Sequence, residues 1–170
     1  MTQHCLVLGG ARSGKSAYAE GLAESHPGDR IYIATAEAGD EEMRERIAHH
    51  RARRGSRWQT IEEPLKLLHL LRQESKAGRF LLVDCVTLWV SNLLMMDLSV
   101  QAAVDQLCSE LPALEARIVF VSNEVGLGIV PDNVLARRFR DEAGLANQKL
   151  AATCREVVFM AAGLPLKLKG

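Results

Sequence analysis

The sequence lacks most of what would mark a secreted, membrane-spanning or nucleic-acid-coating protein. No apolar run approaches the roughly 20 residues needed to cross a bilayer, so a membrane-spanning helix is excluded. The opening Met1-Thr2-Gln3-His4 has neither the basic start nor the apolar stretch of a secretory leader. Cysteines number 4, at positions 5, 85, 108 and 154, with no CxxC spacing and mostly within apolar segments. That pattern excludes a zinc-ligand frame and predicts buried, reduced thiols. Neither charge is in excess, with Lys plus Arg and Asp plus Glu at 21 each. A surface built throughout to hold nucleic acid needs a basic excess, so none is expected. Repeats, low-complexity stretches and linkers are also missing. One cytoplasmic domain spanning residues 1–170 is expected.

What is present is an alternation of short apolar runs with helical patterns. Residues 4–8, 30–34, 80–83, 118–121 and 157–161 read as five buried strands. Helical periodicity covers about 15–24, 64–74, 87–96, 100–114 and 133–153, and the charged segment 40–54 also reads as a helix. Apolar strands alternating with helices predict an α/β fold, a mostly parallel central sheet with helices on both faces.

Gly9-Gly10-Ala11-Arg12-Ser13-Gly14-Lys15-Ser16 matches GxxxxGK[ST] in full, directly after the first strand and opening the first helix. The residue types suit phosphate. Glycines let backbone N–H groups curl around the oxygens, Lys15 reaches the β- and γ-phosphates, and the Ser16 hydroxyl is placed to ligate Mg²⁺. A P-loop NTPase fold follows, with a RecA-like topology expected. Asp84, an acid closing a buried strand, fits the second metal-holding position of such enzymes, although a helix-capping aspartate would look the same. Thr35 falls at the carboxyl edge of the sheet, where open α/β sheets bind ligands. Glu62 could accept a hydrogen bond from a base or ribose, or pair with a nearby arginine. Glu124, after the fourth strand, could hold a substrate hydroxyl or Mg²⁺, or serve a turn.

The neutral total hides a local imbalance. Six arginines fall between positions 44 and 57 against one acid, Glu45. On a helix His50 shares a face with Arg46, Arg53 and Arg54, while His49 points elsewhere. A histidine among guanidinium groups suits a polyphosphate: Arg forks bind phosphate oxygens, and nearby positive charge favours the neutral, nucleophilic imidazole. A solvated basic helix and an RNA-binding face are the alternatives.

Together, GGARSGKS at 9–16, YIATA at 32–36, RIxxHR at 46–51, WQTIEEP at 58–64, NEVGLGIVP at 123–131 and FRDEAGLANQKLA at 139–151 resemble one family. It is the bifunctional adenosylcobinamide kinase / adenosylcobinamide-phosphate guanylyltransferase family of cobalamin biosynthesis. The resemblance implies phosphorylation of adenosylcobinamide by ATP or GTP. It further implies transfer of GMP from GTP, through a guanylylated histidine, to adenosylcobinamide phosphate. By the family pattern that histidine is His50. Nucleotide contacts are implied at Gly9, Gly10, Ala11, Arg12, Ser13, Gly14, Lys15, Ser16, Ile33, Ala34, Thr35, Arg51, Ala52, Arg53, Arg54, Glu62 and Asp84, with Ser16 and Asp84 holding Mg²⁺. A homo-oligomer is implied, a trimer being the candidate arrangement, with no nucleic-acid partner and no stable membrane insertion. Gly55 stands where the family pattern has proline. A P-loop kinase without a covalent step is the competing reading, and a nucleotide-binding RNA module is a third.

Overall fold

The computed structural model describes residues 4–36 and 57–170. The expected 40–54 helix, with His49, His50 and residues 51–54, lies outside the described residues.

Among the described residues seven strands form one sheet: β1 (Cys5–Gly9), β2 (Arg30–Ala34), β3 (Trp58–Glu62), β4 (Phe80–Asp84), β5 (Arg117–Asn123), β6 (Glu156–Ala161) and β7 (Leu164–Lys169). Their spatial order is β3-β2-β4-β5-β1-β6-β7, parallel except for the antiparallel β6–β7 pair. Because β5 lies between β1 and β4, the P-loop strand and the Asp84 strand are one strand apart, the RecA-like order expected.

Among the described residues five α-helices cover the sheet: α1 (Lys15–Gly21), α2 (Leu67–Glu74), α3 (Val86–Met95), α4 (Val100–Glu110) and α5 (Val134–Thr153). Strand periodicity sorts the core into two layers. Leu6, Ile33, Leu81, Val83 and Phe120 face the layer built with α2, α3, α4 and α5. Val7, Tyr32, Leu82, Val119 and Val121 face the layer containing Ala19 of α1. Both faces are therefore buried, which is why the central strands read as unbroken apolar runs. Ser99 and Asn133 cap α4 and α5, accepting from Ala102 N at 3.3 Å and Ala136 N at 3.1 Å. At the other end of α5, Lys169 Nζ donates to the carbonyls of Ala151, Ala152 and Cys154.

The five anticipated strands and the helices within the described residues form, with boundaries shifted by a few residues. Two strands were not anticipated, β3 and β7, and both are edges. β3 is at most half-buried, and every residue of β7 is exposed. An edge strand buries little, so it carries no long apolar run, and it tolerates Pro165 and the lysines of 164–169.

All four cysteines are unpaired. Burial pushes the thiols of Cys5 and Cys154 up to about 12 and that of Cys85 to about 11. His4 is 4% exposed. Its Nδ1 accepts from Ile118 N at 3.3 Å, so Nε2 carries the proton and donates to the Leu111 carbonyl at 2.9 Å. Desolvation lowers its pKa below the ordinary 6.5, opposed by the Leu111 hydrogen bond. The unfolded chain therefore binds the proton first. This contribution to stability is complete above pH 6.5 and is lost as pH falls from there through the lowered folded value. Thermal unfolding of wild type should thus fall more steeply below pH 6.5 than that of His4→Gln. Parallel curves would contradict this account.

Candidate active site

Five parallel strands end along one edge, bringing Gly9, Ala34, Glu62, Asp84 and Asn123 to the side where open α/β sheets hold ligands. The loop leaving β1 is shaped by glycines. Gly9 has φ +153°, and a Cβ there would meet the Met160 carbonyl at 2.5 Å and Ser13 Oγ at 2.6 Å. Gly14 has φ +94°, left-handed, and a Cβ would stand 3.3 Å from Gly163 Cα. Only glycine meets both demands without strain. The β6–β7 turn backs this loop directly, since Gly163 N donates to the Ser13 carbonyl at 3.0 Å. The β6–β7 turn thus supports the phosphate loop.

Lys15 is 7% exposed and folds over the loop. Its Nζ donates to the Gly10 carbonyl at 2.5 Å and reaches Ser13 Oγ at 3.5 Å. Desolvation lowers its pKa, opposed by the nearby Asp84 carboxylate. Such an ammonium is poorly solvated by water and well placed to exchange a carbonyl for a phosphate oxygen.

Ser16 Oγ donates to Asp84 Oδ2 at 2.7 Å. The two residues singled out for a cation, 68 positions apart, therefore touch. Among the described residues no group of three His, Cys, Asp or Glu could hold a metal by itself. A single carboxylate beside a hydroxyl fits Mg²⁺, which keeps several waters and draws further oxygens from substrate phosphates. Tyr32, absent from the sequence-based site, also belongs here: its hydroxyl donates to the same Asp84 Oδ2 at 2.9 Å. The available signal was a lone hydroxyl among the apolar residues 31–34 of β2.

Ile33 and Thr35, expected as nucleotide contacts, are both 0% exposed. Both side chains are enclosed by the fold. Thr35 Oγ1 donates to the Cys85 carbonyl at 2.7 Å and accepts from Cys85 N at 2.8 Å. Its hydroxyl is spent holding the backbone beside Asp84. Ala34, which pairs with both Asp84 and Glu62, is buried at 7% exposure, and Glu62 is exposed. From α3, Asn92 Nδ2 ties the Thr35 carbonyl at 2.8 Å to the Pro64 carbonyl at 3.1 Å, and Trp89 Nε1 holds the Leu65 carbonyl at 2.9 Å. The chain leaving β2 and the chain leaving β3 are thereby fixed to one helix.

Beneath the end of β5 runs a buried polar network that the sequence reading missed. Ser122 Oγ donates to Asn147 Oδ1 at 2.6 Å and lies 3.3 Å from Thr87 Oγ1. Thr87 Oγ1 accepts from Asn123 N at 2.7 Å, and Asn147 Nδ2 donates to the Asn123 carbonyl at 3.2 Å. Fully satisfied networks of this kind rigidify what they hold. Here they hold the root of the 123–131 loop, whose Glu124 N donates to the Gly9 carbonyl at 3.0 Å. Glu124 itself accepts from Gly126 N at 2.6 Å, and Arg137 donates to the Pro131 and Asp132 carbonyls. Both side chains therefore shape the loop.

Residues 5–168 match the family described as cobinamide kinase / cobinamide phosphate guanyltransferase (CobU). The chain belongs to this family. It is 54% identical over 167 residues to the bifunctional adenosylcobalamin biosynthesis protein CobP of Pseudomonas aeruginosa, covering 97% of this chain and 96% of that protein. It is 40% identical to the bifunctional adenosylcobalamin biosynthesis protein CobU of Escherichia coli, covering 96% and 98% respectively. Among solved structures, an ATPase of a bacterial type III secretion system superposes with a TM-score of 0.50 at 13% identity. That match covers 97% of this chain and 56% of the ATPase, a likeness of fold alone. For this member of the cobinamide kinase / guanyltransferase family, the P-loop, Ser16 and Asp84 are thus fixed in the described structure. His50 and residues 51–54 lie outside the described residues.

Proposed function

We propose that this chain carries out both reactions of cobinamide activation. In the first, the aminopropanol hydroxyl of adenosylcobinamide attacks the γ-phosphorus of ATP or GTP; the bond to the β-phosphate oxygen breaks and a nucleoside diphosphate leaves. In the second, a neutral nitrogen of His50 attacks the α-phosphorus of GTP and pyrophosphate leaves. The phosphate oxygen of adenosylcobinamide phosphate then displaces His50, the N–P bond breaks, and adenosylcobinamide-GDP forms.

The single observation that carries this reading is a P-loop lysine beside the Ser16–Asp84 contact, in a chain matched almost end to end by bifunctional relatives. A P-loop accounts for phosphoryl transfer but needs no histidine among arginines. Covalent nucleotidyl transfer needs both. The guanidinium groups of Arg51, Arg53 and Arg54 stabilise charge at the α-phosphate, and His50 divides one difficult displacement into two. Lys15 and the loop N–H groups hold the triphosphate, and Glu62 sits at the edge where a ribose or base would lie. Ser16 and Asp84 would hold Mg²⁺, which when bound neutralises phosphate charge. The remaining readings are a cytoplasmic homo-oligomer that takes no nucleic acid as substrate. No helix among the described residues is long and apolar enough to cross a membrane.

The test is a product assay with adenosylcobinamide, ATP, GTP and Mg²⁺, resolved by chromatography and mass. Adenosylcobinamide phosphate should appear first and be converted to adenosylcobinamide-GDP. Accumulation of the phosphate alone, with GTP present, would reduce the chain to a kinase.

A further inference from the structure

Asp84 Oδ2 receives two hydroxyls from different elements, Ser16 at 2.7 Å from α1 and Tyr32 at 2.9 Å from β2. Among the described residues Asp84 Oδ1 receives no hydrogen bond. Tyr32 is 6% exposed and sits on the sheet face that α1 covers. Its ring is held edge-on against Trp58, centroids 6.3 Å apart at 85°, and Trp58 is held in turn against Phe80 at 6.0 Å and 84°. Packing therefore sets the ring, and the ring sets where its hydroxyl points.

We infer that Tyr32 is a positioning residue for Asp84, turning the carboxylate so that Oδ2 faces the two hydroxyls and Oδ1 is presented to the cation. The inference rests on the reading of Ser16 and Asp84 as the Mg²⁺ pair. The physical argument is rotational. A carboxylate at a strand end turns easily about its terminal bond, where preferences are broad. Ser16 alone cannot hold it, because the Ser16 hydroxyl must itself serve the cation. A second donor on the same oxygen, mounted on a buried ring packed against Trp58, keeps the orientation while Ser16 changes partner. Groups that orient a metal ligand in this way typically affect metal affinity by about 10- to 100-fold. If the side chain were only filling space, phenylalanine would serve equally.

The test compares binding of a fluorescent GTP analogue with Mg²⁺ and with EDTA, for wild type, Tyr32→Phe and Asp84→Asn. For Tyr32→Phe the Mg²⁺-dependent gain in affinity should shrink about 10-fold. Affinity in EDTA should stay within about twofold of wild type, which reports an intact P-loop. A purely structural role would lower both affinities together or change only thermal stability. The inference is overturned if Tyr32→Phe keeps the full Mg²⁺-dependent gain while Asp84→Asn loses it. Should Asp84→Asn also keep the gain, the Mg²⁺ pair and the role of Tyr32 fall together.

Discussion

A Lys15→Met variant is expected to lose phosphoryl transfer and guanylyl transfer together, each by about 10²- to 10³-fold, the range for removing one charged or polar stabiliser from a pre-organised site. Methionine keeps an apolar stem of similar length, so the space under the loop stays filled. What disappears is the ammonium that now rests on the Gly10 carbonyl and Ser13 hydroxyl. The fold should not suffer. Burial already disfavours the charged form of Lys15, as its lowered pKa records, and removing a poorly solvated charge costs little or stabilises. Unchanged or raised thermal stability with both activities gone would place Lys15 on the reacting phosphates. A kinase loss with normal guanylyl transfer would show that the two reactions use separate nucleotide sites.

The second large effect separates the reactions. His50→Ala should leave phosphorylation of adenosylcobinamide near the wild-type rate, because nothing in that displacement requires an imidazole. Guanylyl transfer should fall to background, on the order of 10⁶-fold, as expected when the nucleophile of a covalent mechanism is removed. His49→Ala should retain both activities, since its neighbour carries the chemistry. A single assay following adenosylcobinamide phosphate and adenosylcobinamide-GDP over time reads all three proteins.

The two effects differ in how much of their basis the sequence shows. The P-loop is local, eight consecutive residues after an apolar strand, and each type has a chemical reason, so it is legible without a structure. Asp84 is legible in kind, an acid ending a buried strand, but its contact with Ser16 spans 68 positions and emerges only from the sheet order. Tyr32 was hidden because aromatic residues are ordinary in strands, and only the parallel pairing of β2 with β4 brings its hydroxyl to Asp84. Thr35 shows the complementary case. It stands at the correct edge, yet its hydroxyl turns inward to the Cys85 backbone. The buried Thr87, Ser122 and Asn147 network was equally opaque, since single polar residues in three elements form no pattern along the chain. Edge strands escaped detection because apolar runs report burial, and β3 and β7 are the least buried strands of the sheet.

The central claim is that one chain with a P-loop also carries GMP covalently on His50. The most direct measurement is to incubate wild-type protein with GTP and Mg²⁺, digest it at alkaline pH, and locate GMP by fragmentation mass spectrometry. The account predicts GMP on His50 through a phosphorus–nitrogen bond, stable to alkali, lost in acid and absent from His50→Ala. An unmodified protein under turnover conditions, or GMP attached to His49 or any other residue, would contradict it.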